Sequence, residues 1–284
     1  MSRAAWLNAA LAVLVVALGA LLYLRPARDA AVEYPLSGLK PGDALTLRVE
    51  RAGTMPVVLE KKQDGWFVTA PFTARADESR VQRLLEIVGA RAAHRFPAGE
   101  RGRFGLEPPQ ARIVVDGQSF SFGLVNDITR EQYVMAGDAI YAVHPRYGMA
   151  LPATALDSAS RQLFAPHEVP LRIEGREFSV AQQDGRWLLT PGAGDLSQDD
   201  LIRWVDEWRL ASALRVQPQS AKSARETFRI HLKSGASFTL GVVAREPELV
   251  LARSDETLQY HFRAELAKRR LSPPAAAGDP PANK

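Results

Sequence analysis

Two stretches of the chain, 120 residues apart, share one pattern of apolar and polar positions. Residues 63–71 and 183–191 each place an Asp-Gly pair between two apolar runs and end on a proline. An Asp-Gly pair in this setting predicts a tight β-hairpin. Proline ends a strand because it has no N–H to donate to a neighbouring strand. The sequence therefore predicts two equivalent hairpins.

A helix is predicted after each hairpin. Apolar residues at positions 81, 84, 85 and 88 recur at helical spacing, and positions 201, 204, 205 and 208 repeat them at the same offset. Acidic residues begin both segments, as is typical of a helix N-terminus. Further strand pairs are predicted over 111–123 and 133–143, and again over 228–241 and 249–262. Each unit then has the order β-β-α-β-β-β-β.

Hairpin connections imply antiparallel sheets, with the helix of each unit packed on one face. We therefore expect an α+β fold with an N-terminal transmembrane helix followed by two similar sheet-plus-helix units. The expected division of the chain is a membrane anchor over 1–25, a linker over 26–43, a first repeat over 44–150, a connecting helix over 151–168, a second repeat over 169–271 and a disordered tail over 272–284.

The N-terminal segment has the composition of a membrane anchor. Residues 4–24 carry no charge, and a helix of that length reaches about 30 Å, the thickness of the bilayer hydrocarbon core. A cleaved signal peptide is the alternative, although its apolar region is usually shorter. A short N-terminal tail before a large domain favours a single-pass inner-membrane protein with the bulk of its chain in the periplasm.

Composition narrows the classes of function. Hydrophobic residues make up 46% of the chain and charged residues 24%, which are ordinary values for a globular protein. The net charge is only +4, and basic residues are interleaved with acidic ones, so no nucleic-acid partner is expected. The chain has no cysteine, which excludes disulfides, thiolate metal sites and cysteine nucleophiles.

No pattern of residues predicts an enzyme. The five histidines, at positions 94, 144, 167, 231 and 261, do not pair at a metal-ligand spacing, and no nucleophile elbow or phosphate-binding loop is present. Asp64, Asp116 and Asp184 each precede a glycine at a predicted hairpin tip, so turn formation explains them. We expect no catalytic residue, no metal and no cofactor.

Two places are candidates for contact with a partner or a ligand. Trp204 and Trp208 are i,i+4 neighbours on a predicted helix, and one ring could face outward beside Arg203. The alternative, which we favour, is that both rings form the core stripe of that helix. Arg130 lies in a polar loop just before Tyr133, and this loop is either a contact surface or ordinary solvent-exposed surface.

The order of these elements resembles a known bacterial family of membrane-anchored domains, domain of unknown function number 4340, here as a tandem unit. The resemblance covers about residues 44–265 and rests on the tryptophan strand, the helix, residues 104–109 (Phe-Gly-Leu-Glu-Pro-Pro), the strand ending at Gly123, and Tyr133 with Tyr141. The second copy departs from this pattern, because residues 216–219 replace the Gly-Leu-x-x-Pro turn.

The resemblance implies an N-terminal anchor and an extracytoplasmic location, and some members are encoded beside ABC-type transport or gliding components. It implies no catalytic residues. The expected function is therefore a non-catalytic periplasmic accessory or scaffold protein of an envelope transport or assembly complex. It would contact the inner membrane through the N-terminal helix and a protein partner through its domains. A glycan- or lipid-binding module is the alternative.

Overall fold

Two large antiparallel sheets form most of the molecule. The computed structural model describes residues 3–23, 33–192, 197–220 and 222–274. Much of the predicted linker, residues 26–32, and most of the predicted tail, residues 275–284, lie outside the described residues.

The first unit comprises the strands up to residue 143. In chain order they are β1 (Tyr34–Pro35), β2 (Thr46–Arg51), β3 (Val57–Lys62), β4 (Gly65–Ala70), β5 (Ala74–Arg75), β6 (Arg91–Ala92), β7 (His94–Pro97), β8 (Ala111–Val115), β9 (Gln118–Val125), β10 (Gln132–Ala136) and β11 (Ala139–Val143). Nine of them form one sheet in the order β5-β4-β3-β2-β8-β9-β10-β11-β7, and β1 pairs with β6 in a small separate sheet.

The second unit repeats this arrangement. Its strands are β12 (Pro170–Glu174), β13 (Ser179–Gln183), β14 (Arg186–Thr190), β15 (Arg215–Pro218), β16 (Glu226–Leu232), β17 (Ser237–Ala244), β18 (Glu248–Arg253) and β19 (Leu258–Arg263). They form one sheet in the order β14-β13-β12-β16-β17-β18-β19-β15. Strand for strand this is the order of the first sheet without its edge strand β5.

The two predicted hairpins form at the expected places. Residues 62 and 65 pair across the turn between β3 and β4, and residues 183 and 186 pair across the turn between β13 and β14. In the second turn Asp184 and Gly185 both have positive φ, of 48° and 78°. Asp and Gly tolerate this left-handed backbone better than other residues, which is why the pair predicts the turn.

The helices are few and mostly short. They are α1 (Arg3–Tyr23), α2 (Glu78–Leu85), α3 (Arg146–Met149), α4 (Gln198–Arg209) and α5 (Glu265–Leu271). The side chain of Asp77 accepts a hydrogen bond from the Arg80 N–H and so caps α2, and Ser197 caps α4 in the same way through the Asp199 N–H. The predicted connecting helix over 151–168 contains a 3₁₀ turn over Ala155–Ser158 and no α-helix, because α3 ends at Met149, before it begins.

The expected fold class is wrong, because strands dominate both units. Strands contain 41% of the residues in three sheets, whereas the helix between the hairpin and the meander has 8 residues in the first unit and 12 in the second. One such helix against a sheet of eight or nine strands makes the chain predominantly β, not α+β.

The expected transmembrane helix is also not supported. The described part of the predicted anchor is α1, which carries Arg3 in its first turn and ends at Tyr23. Among the described residues, no helix is long and apolar enough to cross a membrane.

Each large sheet has its own hydrophobic core, and the two cores meet. The stripe of α2 is buried against the first sheet, and the stripe of α4 against the second. Phe72 packs against both cores, and Ala74 of β5 belongs to the core of the second unit. The segment around β5 is therefore the place where the two units touch.

Candidate functional site

The predicted tryptophan surface lies inside the second core. Trp208 is fully buried and Trp204 is 4% exposed. Their rings meet edge to face with centroids 6.1 Å apart, and Trp208 also packs on Phe228. Neither indole N–H has a hydrogen-bond partner in the described part of the chain. Arg203 points to the surface, where it pairs with Asp200 at 3.2 Å.

Arg130 and Tyr133 lie in the other unit, so the five candidate contact residues do not form one site. Arg130 lies in the connection between β9 and β10, and Tyr133 is the second residue of β10. We call residues 126–131 of this connection the contact loop. The corresponding connection of the second unit, between β17 and β18, is only three residues long and reads Arg-Glu-Pro. The contact loop is thus a feature of the first unit alone.

Hydrogen bonds of Asn126 hold the contact loop in one conformation. The side-chain oxygen of Asn126 accepts from the backbone N–H of Ile128 at 2.8 Å and of Thr129 at 3.2 Å. Its backbone N–H donates to the Glu131 carbonyl at 2.7 Å, and its carbonyl accepts from the Arg130 N–H. Its side-chain N–H donates to the Tyr133 hydroxyl at 2.8 Å.

An aromatic cluster separate from the first hydrophobic core supports the loop on the opposite face of the first sheet. Phe104 and Tyr133 meet edge to face with ring centroids 4.7 Å apart, and Phe96 packs on both. The segment carrying Phe104 crosses the sheet at Gly123, where a Cβ would lie 2.2 Å from the Phe104 carbonyl oxygen. Only glycine allows this crossing, which explains the glycine at that strand position.

The contact loop and the strand before it expose apolar side chains. Ile128 is 92% exposed, and Leu124 and Val125 at the end of β9 are also exposed. Single exposed apolar residues are ordinary, but three of them within five positions of an ordered segment are typical of an interaction surface. Sequence reasoning identified the loop through Arg130 and Tyr133 but not its apolar tip.

A second feature, which sequence reasoning missed, is a buried ion-pair cluster between the units. We call it the junction cluster: Arg75, Glu168, Arg253, Asp255, Glu256 and Tyr260. Arg75 comes from β5 of the first unit, Glu168 from the connecting segment, and the other four from the end of the β18–β19 hairpin. Arg75, Glu168, Arg253 and Glu256 are each between 1% and 8% exposed.

Both guanidinium groups of the junction cluster are bound on several sides. Arg75 Nε donates to Glu256 at 2.6 Å and its Nη1 to Glu168 at 3.1 Å. Arg253 donates to both oxygens of Glu168, at 3.0 and 2.8 Å, and stacks over the Phe238 ring at 3.7 Å. The Leu163 carbonyl of the connecting segment accepts from both arginines.

The charges in the cluster stabilise one another. Burial opposes the ionisation of Glu168, but the hydrogen bonds and charge of Arg253, with the charge of Arg75, outweigh it and lower the pKa of Glu168. The pKa of Asp255 is lowered in the same way by Arg253. Burial and the neighbouring Glu256 carboxylate raise the pKa of Tyr260, whose hydroxyl donates to Glu256.

A longer hairpin in the second unit makes this contact possible. The turn between β18 and β19 contains residues 254–257, whereas the corresponding turn between β10 and β11 contains only residues 137–138. The longer turn reaches β5, where Glu256 meets Arg75. Beside this contact the Thr257 N–H donates to the Thr73 carbonyl, and the Thr257 hydroxyl accepts from the Thr73 N–H. Two features of the sequence could have indicated this contact between the units. One is the longer segment between the last two strands of the second unit, and the other is that Asp195 stands 120 positions after Arg75, where the repeat would place its equivalent.

A cleft of about 580 Å³ lies beside the junction cluster. Its walls come from both units and the connecting segment, and they include Arg75, Asp77, Glu78, Arg161 and His167. Across the described ranges of the chain, no three potential metal ligands come together.

Two antiparallel meander sheets of one strand order, joined by buried ion pairs, define a predominantly β protein built from two similar units. The chain belongs to the family described as Domain of unknown function (DUF4340), whose model matches residues 66–233. The match begins in β4 and ends in the turn after β16, so it includes Arg75, Glu168 and the contact loop. No curated protein and no solved structure matches the chain.

Proposed function

We propose that this chain is a non-catalytic scaffold or accessory protein that holds its two units as one rigid body for a partner in an envelope transport or assembly complex. The observation that carries this proposal is the junction cluster. It places four buried charged side chains between the two sheets and satisfies them mutually. Such a contact fixes the relative orientation of two units, since a shift would leave buried charges unpaired.

The two units are inferred to be a tandem duplication of one ancestral unit. Their sheets have the same strand order, and the two hairpins and helix stripes repeat at one offset. The glycan- or lipid-binding alternative depended on an outward tryptophan face, and both rings are buried in the second core. The position of these rings therefore favours the scaffold proposal.

The proposed location is extracytoplasmic. The uncharged run of residues 4–24 has the composition of an export signal. A reporter enzyme that is active only outside the cytoplasm, fused after Lys284, should be active, and activity of a matched cytoplasmic reporter at the same position would contradict the proposal.

Chemical crosslinking in cells, followed by purification of the full chain, tests the scaffold proposal. Wild-type protein should recover the same partner reproducibly. Arg75→Met, which unpairs the junction cluster, should reduce that recovery at equal protein level. The matched control is Arg48→Met, because Arg48 pairs with Glu50 on the surface. Failure to recover any reproducible partner, or equal recovery by all three proteins, would contradict the proposal.

A further inference from the structure

The contact loop carries its own signature of an interaction surface, independent of the junction cluster. Among the large apolar side chains of the described residues, none is more exposed than Ile128. The side chain stands on a loop that Asn126 orders through contacts on both sides. Because the loop is already ordered, binding through it loses little conformational entropy.

The backbone of the loop is also held in a costly conformation. Arg130 has a φ of 60°, in the left-handed region that residues other than glycine rarely adopt. Such conformations persist where the surrounding structure imposes them, and they cluster at functional segments. Here the imposed conformation sets the position of the Arg130 side chain relative to Ile128.

The charges around Ile128 limit the kind of partner that this surface can bind. Asp127 precedes it, and Arg130 and Glu131 follow it. No described residue forms an ion pair with any of these three side chains. Two acidic groups next to the apolar tip disfavour contact with an anionic lipid surface, whereas a surface that carries both signs can complement a copy of itself.

We propose that the contact loop joins two copies of this chain across a two-fold axis. In such an isologous contact both copies use the same surface, so that a residue i that contacts residue j of the other copy is matched by residue j contacting residue i. Ile128, Leu124 and Val125 of the two copies form the apolar centre, and Arg130 of each copy pairs with Asp127 or Glu131 of the other. The aromatic cluster beneath the loop provides a rigid base.

In the proposed dimer only the first unit of each chain makes this contact, because the second unit lacks the surface. The corresponding connection, residues 245–247, reads Arg-Glu-Pro and has no large aliphatic or aromatic side chain, and Arg245 already pairs with Glu226 within its own unit. The proposed surface is therefore single in each chain, and association through it closes at a dimer.

The absence of cysteine from the chain provides a clean test. Thr129→Cys places one thiol in the contact loop of the full-length protein, and a short bis-maleimide reagent then links two loops that lie together. The control is Leu45→Cys, whose position is 59% exposed in the same unit and lies beside Asp116 in the β8–β9 turn, at the end of β9 opposite to the loop. The loop thiol should give a product of twice the 31.1 kDa chain mass, and the control should not.

Charge exchange in the Thr129→Cys background separates a specific contact from random collision. Arg130→Glu should lower the crosslinked fraction about tenfold, which corresponds to about 1.4 kcal/mol. Adding Asp127→Arg and Glu131→Arg to Arg130→Glu should restore it, because the two signs are then exchanged. Ile128→Asp should abolish it while the circular dichroism spectrum stays unchanged.

Two results would overturn the proposal. One is equal crosslinking of Thr129→Cys and Leu45→Cys, which would mean random collision. The other is a loop that links to a different protein or binds vesicles of anionic lipid while no dimer of the chain forms.

Discussion

Arg75 Nε and Glu256 Oε1 lie 2.6 Å apart although the two residues are 181 positions apart in the chain. The contact holds the edge strand β5 of the first sheet against the long β18–β19 turn of the second. Because both side chains are buried, the pair is sensitive to the loss of either partner. Substitutions at this pair therefore test whether the contact holds the two units together.

Arg75→Met should destabilise the protein by about 3–5 kcal/mol, because Glu256 and Glu168 then lose a buried positive partner. The free energy of unfolding from urea titration measures this effect. Adding Glu256→Gln to Arg75→Met should recover part of the loss, since one unpaired charge is removed. Arg48→Met, in the exposed Arg48–Glu50 pair, should change stability by less than about 1 kcal/mol. Equal effects of Arg75→Met and Arg48→Met would contradict the assignment.

Stability should fall in acid as the junction carboxylates are protonated. Folding lowers the pKa of Glu168 from its ordinary value of 4.5 and that of Asp255 from 3.8. A carboxyl with a lowered pKa adds stability above its unfolded pKa, and this stability is lost as the pH falls through the folded pKa. The melting temperature should therefore vary little near neutral pH and decrease below about pH 4.5.

Glu168→Gln tests which group causes this decrease. The variant should be less stable at neutral pH and should show a shallower decrease in acid than the wild type. Asp77 has a lowered pKa as well, so the decrease should be reduced and not abolished. If the melting temperature of the variant decreased in acid in parallel with that of the wild type, Glu168 would be excluded as a cause of the decrease.

Trp208→Ala should destabilise the second unit by about 3–5 kcal/mol, because a fully buried ring leaves a cavity. Arg203→Ala, five positions earlier on the exposed face of α4, should change stability by less than about 0.5 kcal/mol. Thermal melting of the two variants beside the wild type measures both effects. A Trp208→Ala protein of wild-type stability would show that the ring is not part of the core.

Gly123→Ala should cost about 1–3 kcal/mol, because the new methyl group meets the Phe104 carbonyl and must displace the crossing segment. Gly99→Ala is the matched control in the same unit, since no atom lies within 4 Å of its Cβ position and its φ is not positive. Urea unfolding of both variants should show loss of stability for the first only. Equal stability of the two variants would mean that the segment carrying Phe104 is not held against Gly123.

Local patterns predicted much of the chain. The Asp-Gly pairs predicted both hairpins, and the acidic starts with apolar stripes predicted α2 and α4, because turns and helix ends are set by neighbouring residues. The fold class was wrong because each unit has one helix against a full sheet. The contact loop was identified by Arg130 and Tyr133, but its tip at Ile128 reads as an ordinary loop residue.

The junction cluster could not be predicted in the same way. Arg75 and Glu168 are 93 positions apart, and Glu256 follows far beyond both, so no periodicity connects them. Each residue alone reads as a solvated surface charge, which is the usual fate of Arg and Glu. Only the pairing of the long hairpin with β5 brings them together, and that is a property of the folded chain.

Hydrogen exchange during urea unfolding is the most direct test of the rigid two-unit body. Amides of β8, central in the first sheet, and of β16, central in the second, should lose protection at the same urea concentration in the wild type. In Arg75→Met the two strands should lose protection at different concentrations. Separate transitions for β8 and β16 in the wild-type protein would show that the units unfold independently, and this result would contradict the account.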